Sequence, residues 1–153
     1  KYTWVDMGSS YLPGEISAAF LFAQLKDGLE ITRQRLEKWD SYFQYFSGLD
    51  TSILGSVMSV PDFSRHNAHM FYLVCPSLRL RSEFISYMRS RGIGCVFHYV
   101  PLHSSPAGLK YGKVSSSMKF TERAGECLVR LPMGPDFDVT SVIEAVDNFT
   151  GLM

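Results

Sequence analysis

The chain has 153 residues, 46% hydrophobic and 20% charged, with fifteen basic residues against fifteen acidic ones. That length supports one domain with a real core, and the balanced charge leaves no electrostatic footprint for nucleic acid or an anionic membrane. No apolar run approaches the ~18 residues of a membrane-spanning helix, and the first residues lack the pattern of a signal peptide.

Residues 1–13 read as an irregular arm in which aromatic residues alternate with small polar ones, and Gly8-Ser9-Ser10 offers N–H and hydroxyl donors that suit an anion. A packed N-terminal arm is the plainer alternative. Lys1 opens in mid-motif, so the chain is expected to be a piece of a longer protein. A helix is predicted from about Pro13, with Glu15 in its first turn and Ile16, Phe20, Ala23 and Leu25 on its apolar face. Gly28 should kink or interrupt it. A second run reaches about Phe46, its stripe formed by Ile31, Leu36, Trp39, Tyr42, Phe43 and Phe46. Together the two runs would span on the order of 50 Å, long enough to bridge to a second domain or subunit, and the stripe is expected to self-associate to hide its rings.

Residues 47–66 read as a linker of Ser, Gly and Asp with Pro61 inside it. A near-continuous apolar strand follows at 69–75, stopped by Pro76. Leu80, Phe84, Ile85, Tyr87 and Met88 mark a helix that ends at Gly92. The next stretch, 94–103, is the most informative in the chain. It predicts a strand over 94–99, with Cys95, Phe97 and Tyr99 on one face and Val96 and His98 on the other. This strand runs into a proline-fixed loop that also carries His103. Strand ends that lift polar side chains out of a packed scaffold are common places for binding groups; a core strand followed by an ordinary surface loop is the alternative. The long loop 100–118 is followed by a helix from Thr121 to about Leu128, a short strand 129–133, and a last helix from about Asp138 to Phe149.

The order β-α-β-loop-α-β-α over 67–150 implies an α/β unit. Its expected sheet has three strands, with the short strand 129–132 antiparallel between two parallel ones, and helices cover it. The expected division is an N-terminal arm and long helix at 1–48 and a small domain at 67–153. The three cysteines, Cys75, Cys95 and Cys127, each lie in an apolar run, which predicts buried thiols in a reducing, cytoplasmic setting. Cys95, His98 and His103, even with His66 and His69, match no zinc spacing, so no metal site is expected. His66, His69 and Arg130 read as structural residues.

Several motifs in one order carry a resemblance. They are Tyr2-Thr3-Trp4, Gly8-Ser9-Ser10-Tyr11, Ala18-Ala19 with Gln24-Leu25, Asn67-Ala68-His69-Met70-Phe71-Tyr72, Phe97-His98-Tyr99-Val100-Pro101-Leu102-His103 and Arg130-Leu131-Pro132-Met133. Across nearly its whole length the chain resembles the C-terminal part of the DegT/DnrJ/EryC1/StrS sugar aminotransferases, and most closely the branch that makes dTDP-4-amino-4,6-dideoxygalactose. The resemblance implies the small C-terminal domain of a fold-type I aminotransferase, preceded by a long helix. It implies pyridoxal phosphate as cofactor, glutamate and a 4-keto-6-deoxy sugar nucleotide as substrates, and a homodimer. The Schiff-base lysine and the acidic partner of the pyridine nitrogen would both lie upstream, leaving this piece inactive by itself and without a catalytic residue of its own. Ser10 stands where many relatives carry Asn, and by that match would bond the cofactor phosphate across the dimer; Tyr11 would line the same pocket. His98, Tyr99 and His103 match a loop facing the sugar nucleotide and would contact substrate. A stand-alone ferredoxin-like module, binding a small molecule or a protein partner, fits the element order equally well.

Overall fold

The computed structural model describes residues 3–8, 11–134 and 136–152. The predicted long helix is two helices, α1 (Glu15–Lys26) and α2 (Gly28–Ser47), broken at Asp27 where the backbone leaves helical geometry. The break separates two environments. α1 buries none of its residues, and Ile16 and Phe20 are 89% and 69% exposed. α2 turns Trp39, Tyr42 and Phe46 inward at helical spacing. Their ring centroids lie 5.7, 5.2 and 5.7 Å from that of Phe71, within the range of favourable aromatic pairs. The stripe that was expected to need an outside partner therefore finds its partner within the chain, and the unpartnered apolar surface belongs to α1 instead.

The stretch expected as a linker is partly ordered into elements. Asp50 caps the short helix α3 (Thr51–Leu54), its carboxylate accepting from the Ser52 N–H at 2.8 Å. Gly55, at φ +89°, turns the chain so close to Val74 that a Cβ would sit 1.9 Å from its carbonyl oxygen. The strand β1 (Ser56–Val57) follows.

The core sheet is built on β2 (Phe71–Val74). Helix α4 (Leu78–Ser90) starts at the Ser77 cap and is closed by Gly92 at φ +76°, a glycine's ordinary role after a helix. Next come β3 (Val96–Phe97), a 3-10 turn at Leu102–Ser104, and α5 (Pro106–Tyr111). Helix α6 (Lys119–Cys127) leads directly into β4 (Leu128–Leu131), and α7 (Val139–Thr150) closes the chain, capped by the Asp138 carboxylate. The spatial order is β1-β2-β4-β3, every neighbouring pair antiparallel. The expected central placement of the short late strand holds, and β1 extends the three expected strands at one edge.

Register explains the core. Phe71 pairs with Leu131 and Leu73 with Val129, and all four are buried on one face. Phe84 and Met88 of α4 and Val142, Val146 and Phe149 of α7 join them in the same cluster as the α2 aromatics. The other face carries Tyr72 opposite Arg130 and Arg130 opposite Val96. All three cysteines are free and buried, and burial pushes the Cys75 and Cys95 thiols up to about 11 and about 12. Among the described residues no helix is long and apolar enough to cross a membrane, and no cluster of three or more His, Cys, Asp or Glu could hold a metal ion.

Candidate functional site

Strand β3 is shorter than its sequence suggests, and that difference creates the site. It pairs with β4 for two residues only, Val96 with Arg130 and Phe97 with Val129. Cys95 before it is buried, whereas Phe97 is 43% and Tyr99 60% exposed, so the expected shared face of 95, 97 and 99 does not form. The chain leaves the sheet after Phe97. Its course is then fixed by Pro101, whose ring packs on Gly125 of α6, where a Cβ would meet Pro101 carbons at 2.9 Å.

His98 and Tyr99 stand at this exit with ring centroids 5.1 Å apart in an edge-to-face arrangement. Arg130, on the middle strand, reaches the same place. Its guanidinium carbon lies 5.5 Å from the Tyr99 ring centroid, and Nη2 donates a long 3.5 Å hydrogen bond to the Phe97 carbonyl. Burial, and secondarily the Arg130 charge, lower the pKa of His98, which favours the neutral imidazole. Both His98 Nδ1 and Arg130 Nε are buried without a hydrogen-bond partner. Two hollows, of about 450 and about 570 Å³, flank this trio, and His98, Tyr99, Val96 and Arg130 line both.

His103 faces elsewhere. It lines a third hollow of about 650 Å³ with Trp4, Leu109, Val114 and Met118, and its Nε2 lies 3.3 Å from the Glu122 carboxylate. The N-terminal arm closes this hollow. The Ala107 N–H donates to the Trp4 carbonyl at 3.0 Å, and the Tyr111 hydroxyl donates to Asp6 Oδ1 at 2.7 Å. The structure thus brings His98 and Tyr99 together and separates them from His103. Tyr11 lines none of the three hollows and is 90% exposed, while Ser10 lies outside the described residues.

Arg130, read from the sequence as a structural residue, lies at the exit beside His98 and Tyr99. The signal was present: between the apolar Val129 and Leu131, strand alternation turns an arginine away from the core. His69 also lines the 450 Å³ hollow, with Nδ1 2.9 Å from Asn67 Oδ1. His66 packs against Trp39 at 4.4 Å between centroids, in keeping with a structural part. None of the five described lysines lines either hollow at the sheet exit. Lys38 is engaged with the Gly134 and Phe137 carbonyls, and Lys113 lines the His103 hollow. The described residues therefore lack an amine placed to attach a carbonyl cofactor at this site.

Comparison with known proteins places this geometry in context. Over residues 1–150 the chain matches the DegT/DnrJ/EryC1/StrS aminotransferase family. It is 26% identical to the UDP-4-amino-4-deoxy-L-arabinose–oxoglutarate aminotransferase of Shewanella sediminis, over 96% of this chain and 40% of that protein. It is 27% identical to the dTDP-4-dehydro-2,3,6-trideoxy-D-glucose 4-aminotransferase of Saccharopolyspora spinosa, over 94% of this chain and 36% of that one. Among solved structures it resembles S. venezuelae DesV in complex with a ketimine intermediate, with TM-score 0.74 and 25% identity over 98% of this chain and 40% of that chain. The chain spans about two fifths of the length of these proteins. With the match running through nearly every element described above, this chain belongs to the DegT/DnrJ/EryC1/StrS aminotransferase family.

Proposed function

We propose that this chain is the C-terminal part of an aminotransferase that uses pyridoxal phosphate to move an amino group from glutamate to a 4-keto-6-deoxy sugar nucleotide of the dTDP-linked class, closest to the branch that makes dTDP-4-amino-4,6-dideoxygalactose. The observation that carries this reading is the cleft where His98, Tyr99 and Arg130 meet, in a chain whose family match covers residues 1–150. A neutral imidazole can donate at one nitrogen and accept at the other, and a phenol can do both, which suits the hydroxyls of a sugar. The names of the two relatives, both acting on nucleotide-linked sugars, support the substrate class.

Within this reading the chain binds and orients substrate and does not perform the proton transfers. His98 and Tyr99 contact the sugar nucleotide, and His103, held near Glu122, takes a neighbouring part of it. Ser10 donates a hydroxyl to the cofactor phosphate in a homodimer, with Tyr11 beside it. When bound, the cofactor supplies an electron sink at the amino-bearing carbon. The lysine that would hold it belongs to sequence upstream of this chain, so the 153-residue piece alone is inactive. The three buried thiols accord with a cytoplasmic enzyme.

The test joins the chain to the upstream part of its reading frame. The joined protein should show the visible absorption of bound pyridoxal phosphate and form amino sugar from dTDP-4-keto-6-deoxyglucose only when glutamate is present. The 153-residue chain should do neither. Glutamate-independent product, or turnover by the short chain, would overturn the reading.

A further inference from the structure

Among the described residues, the hydrogen bonds that reach from the N-terminal arm to distant parts of the sequence both end on α5. The Ala107 N–H donates to the Trp4 carbonyl at 3.0 Å, and the Tyr111 hydroxyl donates to Asp6 Oδ1 at 2.7 Å. The Met7 N–H donates to the same carboxylate oxygen at 2.8 Å, and the Trp4 indole N–H donates to the Asp6 carbonyl at 2.7 Å. Trp4 also lies against Tyr111, with ring centroids 6.2 Å apart. The Tyr111 phenol first, and the Met7 N–H second, hold the Asp6 carboxyl below its ordinary value, so it accepts as an anion at neutral pH. α5 is a stiff anchor for this clasp. Ser105, 1% exposed, donates to the Leu102 carbonyl at 2.6 Å and accepts from the Gly108 N–H at 3.1 Å. Ala107 is fully buried, and a Cβ at Gly108 would sit 1.7 Å from the Leu102 carbonyl oxygen. Beyond the arm the chain has no comparable hold, since none of residues 11–27 is buried. The core does not depend on the clasp either: Tyr111 and Asp6 both lie outside its cluster of buried side chains.

We infer that Tyr111 is a positioning residue: by holding Asp6 it fixes the arm on α5, so that the segment carrying Ser10 is aimed at the cofactor. Ser10 follows Asp6 by four residues in the sequence. The inference rests on the part given to Ser10 in the reading above and adds the group that sets where that segment goes. A hydrogen bond to a charged acceptor is stronger and more directional than a neutral one, which suits it to fix a stretch of chain that packing leaves free. The long loop 100–118 thereby gains a use beyond carrying His103, since its short helix is the post to which the arm is fastened.

The experiment strips the upstream-joined protein of pyridoxal phosphate and titrates the cofactor back, reading uptake from its visible absorption. Tyr111→Phe keeps the ring against Trp4 and removes only the hydroxyl. It should weaken cofactor binding about fivefold, with turnover at saturating cofactor within about twofold of the parent. Asp6→Ala should match it, whereas Asp6→Asn, whose amide oxygen still accepts from the phenol, should recover most of the loss. The exposed Asp6 keeps the test valid if a Tyr111 variant fails to fold. Adding Tyr111→Phe to Ser10→Ala should weaken binding no further than Ser10→Ala alone, because residues acting through one contact are not additive. Tyr45→Phe removes another phenol–carboxylate bond, to Asp147 on α7, and should bind like the parent. Parent-like cofactor affinity in Tyr111→Phe would overturn the inference and leave the aminotransferase reading standing. Full additivity with Ser10→Ala, or parent-like binding by Ser10→Ala beside a weakened Tyr111→Phe, would overturn it as well, since Tyr111 would then act by another route. So would equal weakening by Tyr45→Phe, which signals general loosening. If the joined protein takes up no cofactor at all, the aminotransferase reading itself falls, and the positioning role with it.

Discussion

His98 joins the chemistry of the cleft to the stability of the fold. Its pKa is lowered from the ordinary 6.5 by burial first and by Arg130 second. The unfolded chain therefore takes up the proton before the folded one does as the solution is acidified. The stabilisation is complete above pH 6.5 and is lost as the pH falls through that value toward the lower folded one. Thermal melts at pH 7.5 and pH 5.5 should show a smaller acid-induced drop for His98→Gln than for the parent; an identical drop in both would mean the ring is freely solvated. The same residue shows how far the sequence could be read. Its place at the exit of a strand was visible from Gly94 through Pro101. Its partner was not, because Arg130 lies far along the chain and meets it only through the β3–β4 register. His103 failed to join it for a related reason: sequence closeness placed it on one loop with His98, but the Pro101–Gly125 contact and the 3-10 turn carry it to another hollow.

The two halves of the predicted long helix differ more than their sequences do. Both are apolar stripes on paper, and local periodicity could not tell which stripe is covered, since covering depends on where Phe71 lies in the fold. α2 supplies three rings to Phe71, and Tyr42 also donates to the Pro132 carbonyl at 3.2 Å; α1 supplies nothing to the core. Replacing the exposed Ile16, Phe20 and Leu25 of α1 with serine should shift the melting temperature by no more than about 3 °C, whereas Tyr42→Ala should cost on the order of 3 kcal/mol. Loss of cooperative melting in the triple-serine variant would show that α1 is integral to the fold. At Gly55 a side chain would need both a left-handed backbone and space already filled by the Val74 carbonyl. Gly55→Ala should destabilise by about 2 kcal/mol or more, read by urea denaturation; a parent-like midpoint would mean that β1 can detach without cost. The expectation of a plain linker over 47–66 missed this because a two-residue strand leaves no periodic pattern to detect.

At the scale of the molecule, the order of helices and strands over 67–150 was legible because each buried strand is a continuous apolar run and each helix has a recognisable end, as at Ser77, Gly92 and Asp138. We propose that this part of the chain is organised as an N-terminal arm and long helix at 1–48 and a small domain at 67–153. Within the described structure the α2 aromatics and the sheet share one cluster of buried side chains.

One topological fact bears on how such a protein is made. β4 lies between β2 and β3 and is the neighbour of both, yet it is the last strand in the chain. While the polypeptide emerges from a ribosome, β2 has only the two residues of β1 to pair with until Leu131 has been synthesised, and β3 must wait as an unjoined edge. Non-local pairing of that kind is slow and exposes sticky strands in the interval. A nascent chain stalled before residue 128 would carry His98 and Tyr99 but neither Arg130 nor the strand that β3 is mounted on.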